Sequence, residues 1–109
     1  QIDKATAVSG SGPGYIFTLI HAFEKAAQKL GFSKSQSRDL VSSTMLGSIL
    51  LMQETRQEPK ELAKEIAVKG GTTEAGIKNL QKYNIDKIIF NTYISAYNRA
   101  KLLGKKIND

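Results

Sequence analysis

The stretch MLGSILLM, residues 45 to 52, decides the fold, because its apolar side chains point to nearly every side of the helix that it predicts. A helix that is apolar all round cannot be covered by one neighbouring face. The flanking sequence extends this helix from Ser33, the predicted N-cap, to about Glu54, with Phe32 in the position of a hydrophobic staple. We therefore expect the helix to be buried on several faces or against another chain.

Four further helices are predicted around this one, each from apolar residues that recur at spacings of three and four. The opening QIDKATAV can form a helical turn, which the small residues of SGSGPGY, residues 9 to 15, should end. The first long helix is predicted to start at Pro13 and to stop at Gly31. A short helix should run from Pro59 to the glycine pair Gly70 and Gly71, and a second short one from Thr72 to Tyr83. The last helix should span about Ile85 to Leu103 and be closed by Gly104.

The sequence thus predicts an all-α fold, a single domain over residues 1–109 with about five helices, because no segment shows the alternation typical of a strand. Three of these helices are long, nearly 30 Å each at about 1.5 Å per residue, which is long for a domain of this size. We expect an extended helical bundle whose surplus apolar faces pair with a second copy, most simply by twofold symmetry.

Composition narrows the class of protein. The chain of 109 residues contains no cysteine, which excludes disulfides, thiolate zinc sites and thiol catalysis. It also lacks a run of the roughly 20 apolar residues that a membrane span needs, and its start lacks the features of a signal peptide. We expect a soluble, cytoplasmic protein without a membrane partner.

The net charge of +6, from 16 basic and 10 acidic residues, raises nucleic acid as a partner. The lysines are scattered among acidic residues along the helices, and no basic stripe interleaved with aromatic residues appears. The charge pattern therefore favours solvated helix faces, and we expect no nucleic-acid partner.

Three features that could suggest chemistry carry little weight. GSGPG, residues 10 to 14, lacks the preceding strand and the later acidic residue of a dinucleotide fingerprint. His21, the only histidine, has no serine or carboxylate at a spacing that suggests a triad. Glu61 and Glu65 alternate with lysines on one short helix, so we expect no metal site.

VKGGTTEAG, residues 68 to 76, is a stronger candidate for a ligand site. A helix that begins at Thr72 or Thr73 presents unpaired backbone N–H groups, and Gly70 and Gly71 let a ligand approach them without an intervening Cβ. The helix dipole favours an anion there. A glycine C-cap followed by a threonine N-cap would explain the same residues without a ligand, although one glycine would then suffice, so the doubling mildly favours the site.

ATAVSGSGPGYIFTLIHAFEKAAQKLG, residues 5 to 31, followed by KGGTTEAGIKNL, residues 69 to 80, resembles the C-terminal domain of the pyrroline-5-carboxylate reductases. The resemblance covers nearly the whole chain, and it implies an interlocked helical homodimer, assembled further in some members. The family's N-terminal Rossmann domain has no counterpart here. The resemblance therefore implies that NADPH or NADH binds mainly outside these residues, and that this domain alone is inactive although its full-length parent is an enzyme.

The resemblance also implies roles for particular residues. Backbone N–H groups of the segment Gly70, Gly71, Thr72 and Thr73 would hold the substrate carboxylate, with the Thr73 hydroxyl facing the ring nitrogen of the cyclic imine. Val68 and Lys69 stand where the family often has serine and proline, so a hydroxyl is lost and a positive charge gained. Bordering the site on its cofactor side would lie Ser9, Gly10, Ser11, Gly12 and Pro13.

These substitutions leave a second hypothesis open, a non-enzymatic regulatory or interaction paralogue that keeps the helical dimer but binds another ligand. An assay of the full-length parent with pyrroline-5-carboxylate and NADPH separates the two.

Overall fold

A computed structural model describes the backbone of residues 1–108 and the side chains of residues 1–105, and every regular element in this part of the chain is helical. The short α1 spans Ile2–Ala5 and continues as a π-helix over Thr6–Gly10. The five helices that follow are α2, Gly12–Lys29; α3, Lys34–Thr55; α4, Pro59–Ile66; α5, Thr72–Lys82; and α6, Ile85–Asn108. This confirms the all-α prediction with three long and two short helices, to which α1 and the π-helix are added.

The prediction that residues 9 to 15 end the opening helical turn is confirmed, and a π-helix places the break at Ser11. The Ser11 N–H donates to the carbonyl of Thr6 at 2.8 Å, five residues earlier, so Ser9 and Gly10 remain helical. The Ser9 hydroxyl donates to the Ala5 carbonyl at 2.9 Å. Such a side-chain bond to the preceding turn competes with the regular backbone ladder and loosens it locally. The chain bends only at Ser11.

The chain divides into two compact units, of which the first comprises residues 1–17 and the residues from 78 onward. Within it, α1 and the π-helix pack on α6 and bury Ala7, which is 2% exposed. The rings of Tyr15 and Tyr93 lie 5.9 Å apart between centroids at a tilt of 40°. Tilted aromatic pairs at this separation stabilise beyond the area that they bury.

The second unit, residues 18–77, is built on the turn between α2 and α3. Gly31 has φ +114°, and the Phe32 N–H donates to the Ala27 carbonyl at 3.3 Å, so α2 ends at this glycine as predicted, in a Schellman motif. Ser33 begins α3 through a reciprocal capping box with Gln36, at 3.1 Å and 2.9 Å, which confirms it as the N-cap.

An ion pair links these two helices. The Arg38 Nε donates to Glu24 at 3.0 Å, and the Glu24 side chain is largely buried while that of Arg38 is exposed. The carboxylate raises the pKa of Arg38, through the hydrogen bond first and its charge second. Ser37, next to Arg38, is fully buried.

The last helix is longer than predicted. Gly104 was expected to close it, but α6 runs through Gly104 to Asn108. A glycine ends a helix when the chain leaves through a positive φ, and Gly104 is not among the glycines that adopt one. Within a helix, glycine costs only about 1 kcal/mol relative to alanine, which the rest of α6 tolerates.

Most large apolar side chains remain uncovered. Ala7 is the only buried apolar residue among those described, whereas Leu46, Ile49 and Leu50 of the central apolar stretch are each at least half exposed. Helices α2 and α3 form an open apolar groove of about 560 Å³, lined by Phe23, Ala26, Ala27, Leu30, Leu40, Val41, Thr44, Met45, Ser48 and Ile49. Among the described residues, no helix has the length and apolar character required to cross a membrane.

Candidate functional site

The site begins with a tight turn after α4. The Gly71 N–H donates to the Val68 carbonyl at 2.9 Å, and Gly70 has φ +76°. The non-glycine residues with positive φ are Arg56 and Asn84 in the described chain, so Lys69 has a negative φ. Negative φ followed by positive φ defines a type II turn, in which Lys69 and Gly70 are the two central residues.

Both glycines have a backbone reason to be there. Gly70 supplies the positive φ that the third position of a type II turn requires. At Gly71, an added Cβ would lie 3.0 Å from the Val68 carbonyl oxygen and 3.5 Å from its Cγ2. The turn therefore gives each glycine a backbone reason of its own, and the inference that the doubled glycine favours a ligand stays a prediction.

Helix α5 begins directly after this turn, at Thr72 as predicted. The Gly71 carbonyl accepts the first helical hydrogen bond, from the Ala75 N–H at 3.2 Å, so Gly71 and not a threonine occupies the N-cap position. Glu74, in the first turn, accepts a hydrogen bond on Oε1 from the Gly70 N–H at 3.0 Å. The N–H groups of both glycines are thus engaged within the turn.

The N–H groups of Thr72 and Thr73 are in a different situation. As the first two residues of α5 they have no carbonyl four residues earlier in the helix. In the part of the chain that the structure describes, neither N–H donates a hydrogen bond. Two adjacent N–H groups at the positive end of a helix dipole favour an anion.

The surroundings of the turn are open and carry one nearby basic side chain from the turn itself. Val68 is 71% exposed and Lys69 is also exposed, whereas Thr73 and Gly71 are half-buried. The Thr73 hydroxyl can both donate and accept a hydrogen bond. The turn and the start of α5 therefore offer backbone donors, a hydroxyl and a cationic side chain along six consecutive residues.

The other predicted site residues lie elsewhere in the chain. Ser9 and Gly10 belong to the π-helix, Ser11 marks the bend, and Gly12 and Pro13 open α2, all within the first unit. The turn and the start of α5 belong to the second unit. The role of Ser9 to Pro13 as a border of the site stays a prediction.

Glu74 is a site residue that the sequence analysis missed. A signal for it was available, because a glutamate three residues after an N-cap is the acidic partner of a capping box. Here the N-cap N–H is already used by the turn, so the carboxylate reaches one residue further back, to Gly70. In the described residues, no group of three or more histidine, aspartate or glutamate side chains is arranged to hold a metal ion.

A matched pair of glycine substitutions tests the turn geometry. Gly71→Ala should lower the free energy of unfolding by about 1–3 kcal/mol, because its Cβ must push against a backbone carbonyl. Gly76→Ala, in the interior of α5 with no atom within 4 Å of the new Cβ, should instead raise it by about 0.5–1 kcal/mol. Urea denaturation measures both, and equal stability of the two variants would show that the turn has room for a side chain.

Uncovered apolar helix faces, together with a helix start that presents two N–H groups, define the class of this protein as a helical association domain with a candidate anion site. A family model described as pyrroline-5-carboxylate reductase dimerisation matches residues 1–103. The chain therefore belongs to the pyrroline-5-carboxylate reductase family, as the sequence resemblance predicted.

Individual relatives agree with this membership. Pyrroline-5-carboxylate reductase 2 of Bacillus subtilis is 42% identical over 89 residues, which are 82% of this chain and 32% of the relative. The Pseudomonas aeruginosa enzyme is 36% identical over 107 residues, 98% of this chain and 39% of the relative. The chain thus spans 32% and 39% of the length of these two curated relatives.

Solved structures extend the likeness to three dimensions. The pyrroline-5-carboxylate reductase of Coxiella burnetii superimposes with a TM-score of 0.90 at 40% identity, over 94% of this chain and 38% of that one. The Plasmodium falciparum enzyme, solved with NADP bound, gives a TM-score of 0.91 at 32% identity, over 94% of this chain and 39% of that one.

Proposed function

We propose that this chain is the dimerisation and substrate-binding part of a reductase that converts 1-pyrroline-5-carboxylate to L-proline with NADPH or NADH. The observation that carries the proposal is the start of α5, where two backbone N–H groups without acceptors follow a type II turn. Membership of the family supplies the substrate class.

The substrate carboxylate is assigned to the N–H groups of Thr72 and Thr73. Charge-assisted hydrogen bonds from a helix N-terminus hold an anion without a cationic side chain. Gly70 and Gly71 contribute the shape of the turn, since neither places a side chain over these donors. Lys69 adds a positive charge at the same turn, which favours an anionic ligand over a neutral one.

Thr73 is assigned a second role through its hydroxyl, a hydrogen bond to the ring nitrogen of the imine. A carboxylate fixed by backbone donors and a nitrogen fixed by a hydroxyl leave a planar ring little freedom to rotate. Positioning of this kind lowers the barrier by removing orientational freedom before the reaction. Val68 presents no hydroxyl, so the bond that serine often makes at this position in the family is absent.

The GSGPG stretch, residues 10 to 14, does not fit the fingerprint of a dinucleotide site. GSGPG lies in and after a π-helix and opens α2, whereas the dinucleotide fingerprint follows a strand. When bound, NADPH or NADH supplies a hydride to the C=N carbon. We propose that the dinucleotide is held mainly by a Rossmann domain preceding this chain in the full-length protein, and that the residues described here hold and orient the imine.

The partner is proposed to be a second copy of the chain, in a homodimer that can assemble further. The apolar groove between α2 and α3 and the exposed side chains of the central apolar stretch support this. Burial of apolar surface contributes roughly 25 cal/mol per Å². A family model that is described by its dimerisation is consistent with the same occupant.

The test is an assay of the full-length protein with 1-pyrroline-5-carboxylate and either dinucleotide, following oxidation of NADPH or NADH by absorbance. We expect reduction to proline by the full-length protein and none by this chain alone. Absence of turnover by a folded full-length dimer would contradict the proposal. It would favour the alternative hypothesis of a non-enzymatic paralogue.

A further inference from the structure

The type II turn before α5 has one peptide group whose orientation is not fixed by sterics. Type I and type II turns differ mainly by a rotation of the central peptide, about 150° in ψ of its first residue and a similar change in φ of its second. Here that group is the peptide between Lys69 and Gly70. Because glycine tolerates either sign of φ, Gly70 permits both orientations.

Glu74 binds the N–H of this same peptide. Its Oε1 accepts from the Gly70 N–H at 3.0 Å, whereas the turn's own hydrogen bond, from Gly71 to Val68, occurs in both turn types. In the rotated peptide, the Lys69 carbonyl oxygen would take the place of the Gly70 N–H and face the Glu74 carboxylate. Attraction in one orientation and repulsion in the other both favour the observed turn.

The orientation of this peptide matters for an anion at the start of α5. The Gly70 N–H now points toward the first turn of the helix, where Glu74 lies. After rotation, a carbonyl oxygen with its partial negative charge would face that turn and weaken the field that the Thr72 and Thr73 N–H groups offer a carboxylate. A fixed peptide therefore preserves the site.

We propose that Glu74 is a positioning residue that locks the Lys69–Gly70 peptide and thereby keeps the substrate-carboxylate site competent. This inference rests on the proposed function. It assigns a favourable role to an acidic side chain beside an anion site, where charge alone would predict an unfavourable one.

The positioning role predicts that loss of Glu74 weakens carboxylate binding, whereas its charge alone predicts that the loss strengthens it, so the experiment separates the two. In the full-length enzyme, Glu74→Ala removes both the hydrogen bond and the charge, and should raise KM for 1-pyrroline-5-carboxylate by about 3- to 10-fold, the range of one hydrogen bond. The inhibition constant of cyclopentanecarboxylate, which has the carboxylate but no imine, should rise by the same factor. Values of kcat and of KM for the dinucleotide should stay within about twofold, since neither depends on this peptide.

Glu74→Gln keeps an acceptor for the Gly70 N–H while removing the charge, so it should restore KM to the wild-type value or below. Glu65→Ala, which removes an exposed acidic side chain on α4, is the matched control and should leave all constants unchanged. A KM for Glu74→Ala at or below that of the wild type would overturn the proposal, as would a joint loss in kcat and in both KM values.

A crystal structure of Glu74→Ala provides a readout that does not need activity. We expect Gly70 to leave its φ of +76°, wholly or in part of the molecules. Retention of the type II turn with full occupancy would overturn the positioning role even in a protein that reduces its substrate. If the wild-type protein shows no turnover, the proposed function is contradicted. The crystal structure of Glu74→Ala would still test whether Glu74 holds the turn.

Discussion

Replacing Ile49 with glutamate should dissociate the proposed homodimer, raising its dissociation constant at least about 1,000-fold. Ile49 lies in the apolar groove between α2 and α3 and is 50% exposed in the single chain. Burial of such a side chain contributes about 1.5–3 kcal/mol, and burial of an unpaired carboxylate costs more. In a twofold dimer each substitution occurs twice, which doubles the free-energy loss. Sedimentation equilibrium of the full-length protein measures the change.

Ser43→Glu is the matched control for this experiment. It adds the same charge to α3, but at an exposed position about 120° around the helix from Ile49. We expect this variant to remain dimeric with a dissociation constant close to that of the wild type. If the Ile49 variant associates as strongly as the wild type, or if both variants dissociate to the same extent, the groove is not the surface on which a second copy packs.

The second large effect is expected at Thr73, whose replacement by alanine should lower kcat/KM of the full-length reductase by about 10- to 100-fold. A hydrogen bond to a charged group is worth about 1.5–3 kcal/mol, and the ring nitrogen gains a proton as the imine becomes an amine. The alanine variant keeps the backbone N–H that is assigned to the carboxylate. Thr73→Ser keeps the hydroxyl as well, and should retain most of the activity.

Thr55→Ala provides the control for loss of a threonine hydroxyl in general. The exposed Thr55 hydroxyl, at the end of α3, donates to the Leu51 carbonyl at 2.9 Å and accepts from the Gln57 N–H at 3.3 Å. Steady-state kinetics of the three variants should separate a specific loss at Thr73 from a general one. An unchanged kcat/KM in Thr73→Ala would remove that hydroxyl from the mechanism.

Much of the fold was predictable because its helix ends follow local chemistry. Ser33 and Gln36 are three residues apart, which is the spacing of a capping box, and Gly31 stands where a Schellman ending needs a positive φ. The error concerns Gly104, a glycine whose effect depends on more than the local sequence. It remains helical, because the chain does not leave α6 there through a positive φ.

The candidate site was predicted only in part. The start of α5 at Thr72 follows from the glycine pair and the apolar spacing after it, but the conformation of the turn does not. The sequence alone could not show that the two glycines act differently. Gly70 supplies the positive φ of the turn, whereas a side chain at Gly71 would press on the Val68 carbonyl oxygen. It also missed Glu74, since the usual capping partner is the N-cap N–H and the turn already uses it.

Among the residues described, Ala7 is the only buried apolar side chain. With so small a core, the folded state should depend on the protein concentration. A core completed by a second copy exists only after two chains have met, so folding and association become one equilibrium. Each tenfold dilution then removes about 1.4 kcal/mol from the stability of the dimer. The melting temperature of the protein then depends on its concentration. The rate of synthesis therefore determines which fraction of the chains is folded.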